Sequence, residues 1–265
     1  MNSTIIDLGF LEIKWYSVMI LLGVIVGGIL GYRECKKKGM DKDTFIDMVF
    51  YGLILSILGA RIYYVLFNLS YYIHNPLEIF MVWHGGLAIH GGLITALVFL
   101  YFFTKKKKLN LLLIIDMVVV SIIIGQAIGR WGNFFNGEAY GREVTLEFLK
   151  NLHLPQFIIQ GMYIDGSYRE PTFLYESIGN IIGLIILLIV RKIKTIKTGT
   201  LTSIYVIWYG IIRCIIESFR SDSLMLGSIK MAQVISIMGI ILGIILWIKS
   251  RKNELYIEDT VIRKK

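Results

Sequence analysis

Residues 109–141 read LNLLLIIDMVVVSIIIGQAIGRWGNFFNGEAYG, an apolar run that turns abruptly polar. Leu109 to Ile128 is long enough to cross the hydrocarbon core of a bilayer, which takes about 20 residues of apolar helix. Gly129 to Gly141 then collects an arginine, two asparagines, a glutamate and four glycines. A permanent cation, amide side chains and flexible backbone at the edge of a membrane are the groups needed to grip a phospholipid phosphate.

The rest of the chain repeats the apolar half of that pattern. Its 265 residues are 55% hydrophobic and 18% charged, with a mean hydropathy of +0.66, too apolar for an ordinary soluble domain. Seven segments have spanning length: Tyr16 to Gly31, Phe45 to Leu66, Gly86 to Phe103, Leu109 to Ile128, Thr172 to Val190, Leu201 to Glu217 and Met231 to Ile248. Lysine and arginine set their direction. Nineteen of the 28 follow spans one, three, five and seven; Lys14, Arg130, Arg142, Lys150, Arg169, Arg213, Arg220 and Lys230 fall on the other side, and Arg61 lies within span two. The positive-inside rule therefore predicts an all-α polytopic membrane protein with seven transmembrane helices, its N-terminus outside and its C-terminus cytoplasmic. Residues 129–171 are the sizeable extramembrane stretch, a small outward-facing head within a single membrane domain of residues 1–265.

Several classes of function are excluded. The net charge of +9 is explained by topology and is scattered over four loops without interleaved stacking aromatics, which argues against nucleic acid. Cys35 and Cys214 fall near opposite faces of the membrane, so no disulfide or cysteine metal site follows. The absence of a Walker-type phosphate loop, a dinucleotide fingerprint and an HExxH helix removes nucleotide-driven and zinc-protease chemistry. The first span lacks a small-residue cleavage site and reads as a retained helix. Asp47 and Asp116, toward the cytoplasmic ends of spans two and four, are expected to pair or cap there.

An ionisable group in hydrocarbon costs at least about 2.5 kcal/mol on insertion scales, so each one beside a span needs a reason. Nearly all lie at the outer level: Arg61 toward the end of span two, His90 near the start of span three, Arg130 directly after span four, and Arg213, Glu217 and Arg220 closing span six. Tyr209, Arg213 and Glu217 recur at four-residue intervals and form one polar stripe, which must face protein or a cavity. On spacing alone a purely structural Arg213–Glu217 pair accounts for that stripe as well as a functional one does. The presence of Arg130 and His90 at the same level favours one shared site.

The stretch Gly129 to Gly141 resembles the signature of the bacterial prolipoprotein diacylglyceryl transferases. Trp15-Tyr16, Gly59-Ala60-Arg61, His90-Gly91-Gly92-Leu93, Pro171-Thr172-Phe173-Leu174-Tyr175-Glu176, and Tyr209-Gly210 with Arg213, Glu217 and Arg220 agree with it in order along essentially the whole chain. The resemblance implies a seven-helix bundle in a bacterial cytoplasmic membrane. It implies transfer of the diacylglyceryl group of phosphatidylglycerol to the lipobox cysteine of a preprolipoprotein signal peptide, forming a thioether and releasing glycerol 1-phosphate, with no cofactor. Arg130 and Arg213 would then stabilise the leaving phosphate. His90 matches the family's essential histidine and would act as base or proton relay, while Glu217 would either orient Arg213 or handle the proton itself. Asn133 and Asn136 would hydrogen-bond phosphate or glycerol hydroxyls, and Glu138 would bind the headgroup or orient Arg130. Gly137 and Gly141 would let backbone approach the ligand, Tyr16 and Tyr209 would position headgroup or peptide, and Arg61 and Arg220 complete the substrate-binding set. The chain departs from the pattern at Glu170, where many relatives have histidine, and at Val118 to Val120, where alanine and proline are often found.

Two rival functions stand beside this one. A transporter would also need charge within its spans, though usually near the midplane on interrupted helices. A noncatalytic lipid-binding protein would use the same arginines with His90 as a structural residue, and substrate turnover separates it from an enzyme.

Overall fold

The computed structural model describes residues 4–7, 12–221, 225–227 and 229–262. Arg263, Lys264 and Lys265 of the predicted basic C-terminus lie outside them. The helices in chain order are α1 (Trp15–Lys37), α2 (Lys42–Phe67), α3 (Leu69–His74), α4 (Ile89–Lys107), α5 (Leu111–Asn136), α6 (Leu146–Asn151), α7 (Gln156–Gly161), α8 (Thr172–Val190), α9 (Thr200–Glu217) and α10 (Met231–Ser250). Of these, α1, α2, α5, α8, α9 and α10 are long and apolar enough to cross a membrane. The remaining predicted span corresponds to α4, a 19-residue helix whose last turn is Lys105, Lys106 and Lys107. It starts three residues later than expected because Gly85 and Gly86 have φ of 86° and 71°, outside the helical region.

The all-α expectation needs a small correction. Short antiparallel pairs form between Thr4–Asp7 and Glu12–Lys14, between Met225–Leu226 and Ile229–Lys230, and in a three-stranded patch of Glu143–Val144, Ser167–Arg169 and Tyr163–Ile164. That patch and the short α6 and α7 lie within residues 129–171, the stretch expected to form a head. Its apolar centre is Phe134, Leu149, Ile158, Ile159, Met162 and Phe173, so it is built onto the tips of α5 and α8.

The chain divides into two compact units. The larger comprises Met1–Gly31 and Ile115–Asp259 and holds most of α1 and α5 with all of α8, α9 and α10. Hydrocarbon tails are as apolar as leucine, so helices in a membrane associate through close packing rather than exclusion of water. Here that packing uses small residues. A methyl group on Gly27 would lie 2.9 Å from the Ser121 carbonyl oxygen, and one on Gly23 would lie 3.3 Å from Gly125. One on Gly183 would collide with Trp208 and Ile123, the point where α5, α8 and α9 converge. Trp208 Nε1 also donates to the Gly179 carbonyl at 2.9 Å, tying α9 to α8.

The Asp116 side chain fixes the start of α9, as the sequence led us to expect. Buried on α5, it accepts from the Gly199 amide at 2.6 Å, from the Thr202 amide at 2.8 Å and from the Thr202 hydroxyl. These donors have no carbonyl partner in the first turn of a helix, and a carboxylate satisfies them while complementing the helix dipole. Beside it, the Thr198 hydroxyl donates to Asp259 at 2.6 Å and Asn253 Nδ2 donates to the Thr198 carbonyl at 2.7 Å.

The smaller unit comprises Tyr32–Ile114 and Thr260–Lys265. Asp41 caps α2 by accepting from the Thr44 amide at 2.8 Å, and this hydrogen bond holds its carboxyl below the usual carboxylate range. Helices α2 and α4 cross where Gly59 abuts Thr95 and Gly91 abuts Tyr63. Asp47 pairs with Lys107 at 3.9 Å on the exposed surface.

Replacing Asp116 by alanine leaves three donors without their acceptor. The expected result is a loss of about 2 to 4 kcal/mol, read as a lowered unfolding midpoint of the purified protein in detergent.

Candidate functional site

Helix α5 does not stop at Ile128. It runs on to Asn136, so the first part of the polar signature continues the helix past the end expected for span four. The helix ends at Gly137, which has a φ of 65°. The Gly137 amide bonds the Phe134 carbonyl at 3.2 Å and the Glu138 amide bonds the Asn133 carbonyl at 3.0 Å, a Schellman arrangement that demands the left-handed residue. The helical register places Arg130 and Asn133 on one side, with Arg130 Nη1 donating to Asn133 Oδ1 at 3.3 Å.

Across from them, the larger unit assembles a chain of charges from three helices. Arg130 Nε of α5 pairs with Glu176 Oε2 of α8. The other carboxylate oxygen, Glu176 Oε1, accepts from Arg213 Nη1 of α9 at 3.0 Å. Arg213 Nη2 in turn lies 2.8 Å from Glu217 Oε2, one turn further along α9. That contact is an ion pair without hydrogen-bond alignment, since Glu217 Oε2 has no hydrogen-bond partner. Lys230 Nζ donates to the main-chain carbonyls of Glu217 at 2.6 Å and Arg220 at 3.1 Å, adding a further cation.

Exposure is divided unevenly within the cluster. The Glu176 and Glu217 side chains are 5% and 2% exposed, whereas Arg130 and Arg213 keep 21% and 18%. A ligand reaching this cluster therefore meets the guanidiniums first. Two forked, permanent cations held by buried carboxylates have the chemistry that suits the oxygens of a phosphate.

Glu176 is the residue that sequence reasoning missed. It stood within the quoted Pro171-to-Glu176 motif but had no assigned role. Its signal was present, because Glu176 is the one carboxylate of α8 and such a group within a spanning segment marks a site by default.

Other predicted residues take different places. Glu138 is exposed and accepts from Asn136 Nδ2 at 3.3 Å; Arg130 is oriented by Glu176 and Asn133 instead. Gly141 packs against Glu170, where a methyl group would lie 2.8 Å from Glu170 Cβ, so its smallness serves packing within the head. Main-chain pairing of Gly141 with Arg220, and of the Arg142 amide with the Phe219 carbonyl at 3.0 Å, joins the head to the end of α9. Glu170, the departure from the family pattern, accepts from Arg142 Nε at 2.9 Å. Tyr16 lies against Gly132 and is 37% exposed, while Tyr209 stacks on Tyr205 at 6.1 Å.

Arg61 and His90 belong to the smaller unit. Arg61 is 6% exposed and donates to the carbonyls of Glu78, Ile79, Gly85 and Gly86, at 2.9 Å for Ile79, 2.7 Å for Gly85 and 3.1 Å for Gly86. Its guanidinium is engaged in holding the α2–α4 connection, which is why so costly a charge sits there. His90 is exposed in the first turn of α4, its ring 6.4 Å from that of Tyr63.

Between α1, α5 and α8 the larger unit contains an apolar cavity of about 370 Å³. Met19 and Leu22 of α1, Ile124, Ile128 and Trp131 of α5, and Ile181 and Leu184 of α8 are among its lining residues.

Six helices long and apolar enough to cross a membrane place the chain in the class of polytopic membrane proteins. Comparison with known proteins narrows this. Residues 3–249 match the family described as prolipoprotein diacylglyceryl transferase. The chain is 48% identical over 248 residues to the phosphatidylglycerol–prolipoprotein diacylglyceryl transferase of Halalkalibacterium halodurans, covering 93% of this chain and 86% of that protein. It is 45% identical to the enzyme of that name from Listeria monocytogenes serotype 4b, covering 100% and 98%, and 47% identical to that from Bacillus cereus, covering 95% and 93%. The chain belongs to the prolipoprotein diacylglyceryl transferase family.

Glu176→Ala removes the shared counter-ion of two partly buried guanidiniums, a loss of about 3 to 5 kcal/mol. An added anionic phospholipid is expected to raise the unfolding midpoint of this variant more than that of the unaltered protein, because its phosphate takes the place of the missing carboxylate. Equal shifts measured in parallel melts would contradict the anion-site assignment.

Proposed function

We propose that this chain transfers the diacylglyceryl group of phosphatidylglycerol to the lipobox cysteine of preprolipoproteins, the first step of lipoprotein maturation. The observation that carries the reading is the Arg130–Glu176–Arg213 bridge, joined to family membership over nearly the whole chain. In the reaction the cysteine sulfur attacks the glyceryl carbon attached to the phosphate. The C–S bond forms as the C–O bond breaks, and the electron pair leaves on an oxygen of glycerol 1-phosphate. Arg130 and Arg213 hold that phosphate and stabilise the charge it gains.

The thiol must lose its proton, since the thiolate is the nucleophile and a free cysteine has a pKa near 8.5. Of the two candidate bases, Glu217 is 2% exposed and already paired with Arg213, whereas His90 is exposed. We therefore give the proton to His90 and the orientation of Arg213 to Glu217. Asn133 steadies Arg130, and Tyr16, Asn136, Gly137, Glu138, Tyr209 and Arg220 shape the surroundings of the headgroup and peptide.

In the bilayer this reading makes α4 the seventh span. The lysine-rich ends of α1, α4, α8 and α10 lie in the cytoplasm, and the charge cluster opens on the extracytoplasmic side of a bacterial cytoplasmic membrane. The apolar cavity beside Trp131 takes hydrocarbon of the donor lipid.

The test is transfer of radiolabelled diacylglyceryl from phosphatidylglycerol to a lipobox peptide by the purified protein, with a cysteine-to-serine peptide as control. Label is expected on the thiol peptide alone. Arg130→Ala and His90→Ala are each expected to lower the rate at least about a hundredfold while the protein still inserts in the membrane. Normal rates in those variants would remove the assigned roles, and binding of phosphatidylglycerol without product would favour the noncatalytic alternative.

A further inference from the structure

Beneath the charge cluster, each of its three helices carries an uncharged polar side chain one turn away, on the same face. On α5 this is Gln126, four residues before Arg130. On α8 it is Asn180, four residues after Glu176, and on α9 it is Tyr209, four residues before Arg213. Helix α8 runs opposite to α5 and α9 with respect to the cluster, so all three steps lead the same way, about 6 Å deeper into the bundle. The result is a second polar layer shared by the three helices.

Polar groups at that depth require partners, because hydrocarbon supplies none. Asn180 is 3% exposed. Gln126 Nε2 donates to the Tyr205 hydroxyl at 3.0 Å, but Gln126 Oε1 is buried without any hydrogen-bond partner. A hydroxyl can donate as well as accept, so a half-turn of the amide lets Tyr205 donate to Oε1 and frees the NH₂ group to donate elsewhere. Gln126, Asn180 and Tyr209 thus offer amide and hydroxyl donors to a ligand that brings acceptors.

A diacyl phospholipid brings such acceptors in the right order. Its phosphate is followed a few bonds deeper by the two ester carbonyls and then by hydrocarbon. The larger unit presents two arginines and, one turn deeper on the same helix faces, a neutral donor layer. We propose that Gln126 and Asn180, with Tyr209, bind the glyceryl ester carbonyls of the donor lipid and make the protein selective for acyl over alkyl chains. This inference rests on the transferase reading above.

The test compares phosphatidylglycerol with its dialkyl ether analogue, which keeps the glyceryl C–O–P linkage that breaks and lacks only the carbonyls. With the unaltered protein and a lipobox peptide, kcat/KM for the ether lipid is expected to be at least about tenfold lower. In Gln126→Leu, and separately in Asn180→Leu, that preference is expected to shrink toward equality through loss of rate with the diacyl lipid. Equal rates for the two lipids in the unaltered protein would overturn the inference while leaving the transferase reading in place, and this arm needs no variant to fold. Undiminished ester preference in both leucine variants would overturn it as well. If the unaltered protein transfers neither lipid, the transferase reading fails and the ester layer falls with it.

Discussion

The larger unit depends on one carboxylate holding two cations. Glu176 pairs with Arg130 and accepts from Arg213, and the three residues come from three different helices. Any one of these charges alone beside hydrocarbon would be expelled or neutralised, and truncating one partner of a buried pair strands the other. The bridge therefore constrains α5, α8 and α9 together. It sets the two guanidiniums on opposite oxygens of one carboxylate that is more buried than either of them. A site that binds an anion needs that arrangement before the anion arrives, since reorganising charges during a reaction would forfeit much of their effect.

The bridge can form only if the helices approach closely and in register. Closeness comes from the small residues where α1 meets α5 and from Gly183, which leaves room for Trp208. Register along α9 is set from its opposite end, where Asp116 binds the Gly199 and Thr202 amides and so decides where the helix begins. From that start Tyr209, Arg213 and Glu217 follow at intervals of four on one face. The polar cap at one end of α9 and the charge cluster at the other are parts of one positioning device, and the head packed on Phe134 and Phe173 adds a third constraint at the tips of α5 and α8.

Much of this was legible in the sequence. The spans were readable because hydropathy over about 20 residues is a local property, and α8 occupies the expected Thr172 to Val190. The polar stripe of α9 was readable because helical spacing is local as well. The extension of α5 to Asn136 was not, because glycines at 129 and 132 suggest a loop in isolation; in the fold they give room for neighbours such as Tyr16. Arg61 was grouped with the ligand residues because its charge needed a partner, and its partners proved to be main-chain carbonyls that carry no sequence signal.

The sequence by itself determined that this is a helical membrane protein and which family it belongs to. Apolar length, charge alternation and a thirteen-residue signature are all written along the chain. The tertiary structure alone decided that Glu176 is the counter-ion of both Arg130 and Arg213, that Glu138 is not, and that Gln126 lies one turn beneath them with an unsatisfied oxygen. The reason is physical: whether a side chain is polar follows from its type, but which charge it meets depends on the relative register and rotation of helices far apart in the chain.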